Sequence, residues 1–339
     1  MAAKTYGIDL GTNTIKVYKK GEGVILHERN IIAIENKKKI IAVGDEAYEM
    51  NEKAPVSIKI VSPVRSGVIA DISNMQHLLT SVINQVNGGK KSASTFYIAV
   101  PTDITGVEKK SFYDTVLASN AKVKDISIVE KSIADALGIG LDITNARGVM
   151  VVNIGADTTE ISIISLGGIV LSKLVNVGGN KLDESIKLYV KKKYNLAIGS
   201  KTAETIKKSL ACALPGSMET IAVFGRNIVN GLPAQMEINS EMVYDAIKEY
   251  LHTIVDAIKV ILERTPPEIS ADIIESGIYI TGGSSAIRDL DALISANTDL
   301  RVNICDKADR TVVEGLGRII EDPSLKELSY NMKQTSTRR

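Results

Sequence analysis

The sequence is poor in several kinds of residue that mark particular protein classes. Its 339 residues include no tryptophan, three phenylalanines, two cysteines, three histidines and eight prolines. So few aromatic rings leave little surface on which single-stranded nucleic acid could stack. Cys212 and Cys305 are far apart, and neither has a cysteine or histidine at metal-ligand spacing. Neither a zinc site nor a disulfide framework is therefore indicated.

Excess charge and long apolar runs are also missing. Lysine and arginine number 41 against 40 acidic residues, so no overall field attracts nucleic acid or an anionic membrane. No apolar run reaches membrane-spanning length, and the first residues lead directly into a strand pattern without a signal peptide. We expect a cytoplasmic protein with no nucleic-acid partner. The apolar content of 44% is typical of a folded chain of roughly two domains.

Short runs rich in valine and isoleucine alternate with amphipathic helix patterns, which predicts an α/β fold. The clearest helix pattern begins at Ser240, predicted as its N-cap, and ends before Pro266. Two further helices are predicted, one over 75–86 and one opening at Ser200. In the helix after Ser200, the spacing of Glu204 and Lys207 favours a solvated ion pair.

One motif occurs twice. Residues 8–14 (IDLGTNT) and 152–158 (VNIGADT) share an apolar strand, an acid or amide, a glycine, and then small polar residues before a second strand. Their separation is close to one domain length, which predicts two similar halves that each contribute a β-hairpin to a shared cleft.

These turns have the chemistry of phosphate sites. A glycine-bearing turn exposes backbone N–H groups, and adjacent hydroxyls complete a phosphate cradle. Either turn alone would be an ordinary hairpin, but the matched pair favours phosphate binding. Asp9 ends the first strand, where a carboxylate can hold a hydrated Mg²⁺ ion. Residues 278–286 (IYITGGSSA) form a strand and a small-residue turn before a helix, which fits a nucleoside site.

The order of these motifs resembles the actin, Hsp70 and sugar-kinase superfamily, and their detail resembles the MreB family of bacterial actin homologues. The matching stretches extend to about Ile320 and include residues 7–12 (GIDLGT), 164–170 (ISLGGIV), 177–184 (VGGNKLDE) and 277–283 (GIYITGG).

The resemblance implies an α/β, actin-like (ribonuclease H-like) fold, with duplicated domains around a nucleotide cleft and four subdomains. The implied ranges are 1–31, 68–145 and 316–330 for subdomain IA, 32–67 for IB, 146–181 and 241–315 for IIA, 182–240 for IIB, and 331–339 for a polar tail.

The resemblance also implies ATP and Mg²⁺ as cofactors, with Asp9 as the metal-site carboxylate. The residues expected to bind the nucleotide are Asp9, Gly11, Thr12, Asn13, Thr14, Gly155, Ala156, Asp157, Thr158, Glu204, Thr205, Ile206, Lys207, Gly282, Gly283, Ser284 and Ser285.

The chain departs from the family pattern at the catalytic positions. Asn153 stands where the family usually has an aspartate, and Lys131 stands where a glutamate positions the attacking water. The first turn differs as well, since Lys16 occupies a position where the family prefers an apolar residue. The chain is therefore expected to be at most a slow ATPase, unless Glu130 takes over as the base.

The resemblance implies a filament-forming cytoskeletal protein that controls cell shape and the location of wall synthesis. Its expected partners are other copies of itself, a typical MreB, and wall-synthesis and membrane-linked shape proteins. The filaments could associate with the membrane, and Lys90 and Lys91 are the basic residues available in one loop. A small-molecule kinase of the same superfamily and an actin-type plasmid-segregation filament remain alternatives.

Overall fold

The computed structural model of the chain describes residues 4–36, 39–89, 93–119 and 121–332. Within these ranges the chain forms nineteen strands, ten α-helices and two short 3-10 helices. No helix in this part of the chain is long and apolar enough to cross a membrane.

The strands are short and number nineteen in the described ranges. They are β1 (Lys4–Leu10), β2 (Thr14–Lys19), β3 (Gly23–Arg29), β4 (Ile32–Glu35), β5 (Lys39–Val43), β6 (Ile58–Val61), β7 (Val64–Arg65), β8 (Val68–Ile69), β9 (Ala93–Val100), β10 (Lys122–Glu130), β11 (Val149–Ile154), β12 (Thr159–Ser165), β13 (Gly168–Val175), β14 (Leu196–Ala197), β15 (Thr220–Asn227), β16 (Pro233–Asn239), β17 (Ile278–Thr281), β18 (Val302–Ile304) and β19 (Ser329–Tyr330).

The helices vary more in length. They are α1 (Gly44–Met50), α2 (Ile72–Asn87), α3 (Gly106–Leu117), α4 (Lys131–Ile139), α5 (Gly179–Tyr194), α6 (Ser200–Leu210), α7 (Ser240–Glu263), α8 (Pro267–Ser276), α9 (Leu290–Thr298) and α10 (Thr311–Glu321), with 3-10 helices at Gly283–Ala286 and Pro323–Leu328.

The chain divides into two compact units. The first unit contains Met1–Val151, Ser162–Leu174 and Asp309–Arg339, and the second contains Val152–Ile161 and Val175–Ala308.

A six-stranded sheet forms the frame of the first unit, in the order β19-β10-β9-β1-β2-β3. Strand β1 pairs parallel with β9 and antiparallel with β2. Its residues alternate between the two faces, as a strand requires. Tyr6, Ile8 and Leu10 enter the core with α2 and α3, while Gly7 lies against α10. The same alternation places Asp9 on the α10 face.

Helices α4 and α10 cross at very short distance beneath this sheet. A Cβ atom on Gly315 would overlap the backbone carbonyl of Ala134, and a Cβ on Gly138 would overlap that of Thr311. Only glycine lets the two backbones approach so closely.

Small sheets complete both units. In the first unit, β5-β4-β6 pack with α1 around a cluster of Ile31, Ala33, Ala42 and Ala47. In the second unit, β14-β15-β16 form an antiparallel sheet. A further five-stranded sheet has the order β13-β12-β11-β17-β18, in which β17 and β18 are parallel.

The predicted strands and the three predicted helices are confirmed, with changes at their ends. The N-cap of α7 is Asn239 rather than Ser240, because the Asn239 side chain accepts the Met242 backbone N–H. The sequence did not predict β3 to β8, β14 to β16, β18 or β19, because these strands are very short or mix polar and apolar residues. The four subdomain ranges stay a prediction.

Two sequence-based expectations fall partly outside the described ranges. Lys90 and Lys91 lie outside them, as do residues 333–339 of the predicted polar tail. Just before that tail, β19 pairs antiparallel with β10.

The helix crossing leads to a stability prediction. We expect Gly315→Ala to lower the free energy of unfolding by about 3 kcal/mol or more, because overpacking against backbone cannot be relieved by a rotamer change. Gly106→Ala is the matched control, since a Cβ there meets no atom within 4 Å. Denaturant titration of both variants is the measurement. Equal stability of the two would contradict the packing argument.

Candidate functional site

The first predicted phosphate turn joins β1 to β2. Its residues Gly11 and Asn13 are both held by Asn30, whose backbone N–H donates to the Asn13 carbonyl at 2.9 Å. The Asn30 side-chain amide donates to the Gly11 carbonyl at 2.7 Å. A Cβ on Gly11 would lie 2.9 Å from the Thr14 carbonyl oxygen. Backbone contacts and the Asn30 side chain therefore hold the shape of this turn.

Asp9 and Lys16 form a buried ion pair beside this turn. The two residues are directly opposite each other in the β1–β2 register. The Lys16 Nζ atom lies 3.5 Å from Asp9 Oδ2 and donates a hydrogen bond of 2.8 Å to Thr14 Oγ1. Residue exposure is 5% for Asp9 and 6% for Lys16.

Glu130 and Lys131 are neighbours in the chain but belong to different elements. Glu130 ends β10, and Lys131 is the first residue of α4. The Glu130 carboxylate accepts hydrogen bonds from Lys109 Nζ at 2.7 Å and from the Tyr330 hydroxyl at 3.0 Å. Burial, followed by the charge of Glu130, raises the pKa of Tyr330. Glu130 is thus held in a structural network, which argues against its replacing a catalytic base.

The second predicted turn lies between β11 and β12, at the start of α5. The Gly155 N–H donates to the Thr158 carbonyl at 2.8 Å and closes the turn. The first N–H groups of α5 donate to the turn's own carbonyls, from Gly179 to Gly155 and from Asn180 to Ala156. These contacts tie the turn to the helix N-terminus.

The Asp157 side chain is also tied to α5. The Asn180 side-chain amide donates to the Asp157 carboxylate at 2.8 Å.

The Gly282–Ser285 segment reaches this turn. Ser284 Oγ donates to the Gly155 carbonyl at 2.9 Å. Gly282 has φ of +87°, and a Cβ there would come within 2.8 Å of Asn153 Oδ1. Both the positive φ and the close approach require glycine. Gly283 has open space on the side where a Cβ would stand.

Helix α6 contributes Lys207 to the same cluster. Lys207 Nζ donates at 2.8 Å to the Gly179 carbonyl and at 2.8 Å to Asp183 Oδ2. The predicted pair of Glu204 with Lys207 is wrong, because Glu204 pairs with Lys208 at 2.7 Å. Lys207 points to α5 and Lys208 to solvent, since successive helix positions differ by about 100°.

Contacts within the second unit thus bring together most of the nucleotide-binding residues predicted for it. Ile206 and Thr205 direct their side chains elsewhere. Ile206 is fully buried in the core, and the exposed Thr205 hydroxyl bonds back to the Lys201 carbonyl. Their predicted role stays a prediction.

Asn30 and Asp183 contact predicted site residues, although the sequence did not single them out. Asn30 lies beyond β3 with no motif around it, and only the fold brings it to the first turn. Asp183 lies within the family-like stretch 177–184, which gave a signal of resemblance but no role. Burial raises the pKa of the Asp183 carboxyl, and the Lys207 charge opposes that shift.

Comparison with known proteins identifies the family. The family model described as MreB/Mbl protein matches residues 3–327. The chain belongs to the MreB/Mbl family. Two curated members show the extent of the similarity. The cell shape-determining protein Mbl of Bacillus subtilis (strain 168) is 38% identical over 325 residues, covering 95% of this chain and 97% of Mbl. The cell shape-determining protein MreB of Escherichia coli (strain K12) is 36% identical over 329 residues, covering 95% of this chain and 94% of MreB.

The fold agrees with solved members of the MreB/Mbl family. The crystal structure of MreB5 of Spiroplasma citri bound to AMPPNP matches with a TM-score of 0.89 at 32% identity, covering 96% of this chain and 98% of that one. The ADP-bound structure of MreB5 matches with a TM-score of 0.90. The predicted α/β, actin-like fold is confirmed.

The Lys207–Asp183 pair predicts a pH-dependent stability change. Without the ammonium, the folded-state pKa of Asp183 rises further above its unfolded value. The folded state then binds more protons than the unfolded state between those two pKa values, so stability falls as pH rises through that window. We expect Lys207→Met to cost about 3 kcal/mol at pH 7 and clearly less at pH 4.5, because an unpaired buried carboxylate is expensive.

The neighbouring Lys208→Met is the control, since that side chain is 65% exposed. Chemical denaturation at both pH values measures the effect. A loss of stability in Lys207→Met that is the same at both pH values would contradict the assignment of Lys207 as the partner of the buried Asp183 carboxylate.

Proposed function

We propose that this member of the MreB/Mbl family is a nucleotide-binding, filament-forming cytoskeletal protein that takes part in cell shape and the spatial control of wall synthesis. The observation that carries the proposal is the match along almost the whole chain to proteins named as cell shape-determining. The clustered turns of the second unit support it, because they hold the exposed Gly283 next to the residues predicted to face a nucleoside.

We propose ATP as the nucleotide. MreB5 of Spiroplasma citri was solved with AMPPNP and with ADP, and both phosphate turns predicted for this chain are fixed by backbone contacts. A turn already in its binding shape loses little conformational entropy when a ligand binds.

The residues present fit a Mg²⁺ ion poorly. Asp9, the predicted metal-site carboxylate, is already paired with Lys16, and Asn153 offers an amide without charge. When bound, Mg²⁺ would neutralise phosphate charge. Its binding by Asp9 stays a prediction, and no step of the proposed function depends on it.

We propose that the filament is made of copies of this chain, with a typical MreB as a further possible subunit. An actin-like subunit has unlike ends, so a head-to-tail contact that does not close produces a filament. Wall-synthesis and membrane-linked shape proteins are its proposed partners, in the cytoplasm and at filaments associated with the membrane.

The filament proposal is tested by sedimentation. We expect the protein to pellet in a concentration-dependent way with ATP, and electron microscopy of the pellet to show protofilaments. Dilution below the critical concentration should reverse pelleting, which separates filaments from aggregates. A protein that stays monomeric at high concentration and does not sediment with Escherichia coli MreB would contradict the proposal.

We further propose that ATP is hydrolysed slowly or not at all. Phosphoryl transfer needs a water held in line and a group that orients it. The protonated amine of Lys131 cannot accept a proton from that water. Glu130 is engaged by Lys109 and Tyr330. Lys131 is suited instead to pair with phosphate oxygens and to retain the nucleotide.

A phosphate-release assay tests this proposal. We expect Lys131→Glu combined with Asn153→Asp to raise the hydrolysis rate by about 10²-fold or more, the usual contribution of a positioned base. Lys122→Glu is the control for the Lys131→Glu part of the double variant, because it reverses the charge of a lysine at an exposed site at the other end of β10. A natural protein that already hydrolyses ATP as fast as a typical MreB, with no gain in the double variant, would refute the proposal.

A further inference from the structure

A buried ammonium group lies at the first phosphate turn. Lys16 is 6% exposed, and its Nζ atom donates to Thr14 Oγ1 at 2.8 Å. Thr14 belongs to the turn predicted to hold phosphate. A lysine is seldom this deeply buried unless it is paired, and here the pair is with Asp9 at 3.5 Å.

The β-sheet fixes this arrangement. Asp9 and Lys16 are directly opposite each other on β1 and β2, so their side chains share one face of the sheet. Changing the register would expose Ile8 and Ile15, which are fully buried or nearly so. Lys16 is therefore held beside Asp9 by the packing of the core and not only by the ion pair.

Apart from Asp9, the residue that faces Lys16 from β3 does not neutralise the Lys16 charge. His27 is opposite Lys16 on β3, and burial, followed by the charge of Lys16, lowers its pKa. His27 is therefore neutral at pH 7, with Asp309 at 3.8 Å from its Nδ1 atom. An ammonium has three N–H donors. Lys16 donates one of them to Thr14 Oγ1, while the Asp9 carboxylate lies at ion-pair distance.

The pair changes what Asp9 can do toward a nucleotide. A lone buried carboxylate repels phosphates and attracts a divalent cation, which makes nucleotide affinity depend on that cation. A carboxylate that is already paired with an ammonium group repels phosphates less and attracts a divalent cation less. The positive charge that a divalent ion would bring is then part of the protein.

We infer that Lys16 replaces the divalent cation as the positive charge at the first phosphate turn, so that this chain binds ATP nearly as well without Mg²⁺ as with it. The inference rests on the proposed nucleotide-binding function. It concerns the cation requirement of binding, which is separate from hydrolysis.

The test is equilibrium titration with AMPPNP, once in excess MgCl₂ and once in EDTA. The measured quantity is the ratio of the Kd in EDTA to the Kd in MgCl₂. For the natural chain we expect a ratio within about threefold of one, below the coupling of about 5- to 150-fold that is usual between linked ligands.

Variants of the pair should move this ratio in opposite directions. Lys16→Met leaves Asp9 as an uncompensated charge, so the ratio should rise about tenfold or more. Asp9→Asn leaves Lys16 without its partner, so binding in EDTA should tighten and the ratio should fall below that of the natural chain. The double variant Asp9→Asn/Lys16→Met is neutral and should return to a ratio near the natural one.

Two control variants make the outcome interpretable. Lys19→Met removes the same charge from the same strand, where Lys19 pairs with Glu22, and should leave the ratio unchanged. The double variant also keeps the test usable if Lys16→Met is unstable, because no buried charge is left unpaired in it.

The results distinguish the inference from the function on which it rests. A purely structural pair would change the Kd equally in both buffers and leave the ratio constant, which would overturn the inference. A natural ratio above tenfold would also overturn it, while nucleotide binding would stand. No binding of AMPPNP in either buffer would refute the proposed function itself.

Discussion

Backbone contacts that admit no Cβ atom determine the geometry of both units. Gly315 fixes the crossing of α4 and α10 under the first sheet, and Gly178 and Gly282 bring chain segments against the second phosphate turn. Such contacts leave no freedom for adjustment, since a single added methyl group would overlap backbone atoms. The turns are consequently shaped by main chain, and the side chains at the predicted catalytic positions can change without loss of the fold.

That separation explains how the chain can keep its fold while departing from the family pattern. Asn153 and Lys131 each make their position more positive than the residue the family resemblance implies, and Lys16 adds a buried cation. Asp157 adds negative charge at the second turn, but Asn180 donates a hydrogen bond to its carboxylate. In the first unit, the ammonium groups of Lys16 and Lys131 suit the proposed retention of a polyanion.

The sequence alone predicted the fold class, the paired turns and the three clearest helices, because each follows from local periodicity or from a motif with a physical role. It did not predict Asn30 or Asp183, whose roles depend on contacts between residues far apart in the chain. It also mispaired Lys207, since helix spacing gives Glu204 as a neighbour but cannot show that α5 offers the more buried carboxylate of Asp183. The pairing of Lys16 with Asp9 likewise depends on the strand register, which places the two residues opposite each other.

The same residues bear on the choice between a filament protein and a small-molecule kinase. A kinase has no use for a nucleotide that it binds but does not consume, so its fitness depends directly on a base and on the stabilisation of the transferred phosphoryl group. A filament subunit needs the nucleotide first as a ligand that favours one conformation, and ligand binding alone can shift that equilibrium. In the first unit, Asn30 holds the predicted phosphate turn, the Lys16 ammonium group is buried beside it, and Glu130 is bonded to Lys109 and Tyr330. This arrangement suits the second requirement, the proposed binding of a nucleotide, better than the first. These contacts therefore favour the proposed filament subunit over a kinase, since they suit binding of a nucleotide more than its consumption.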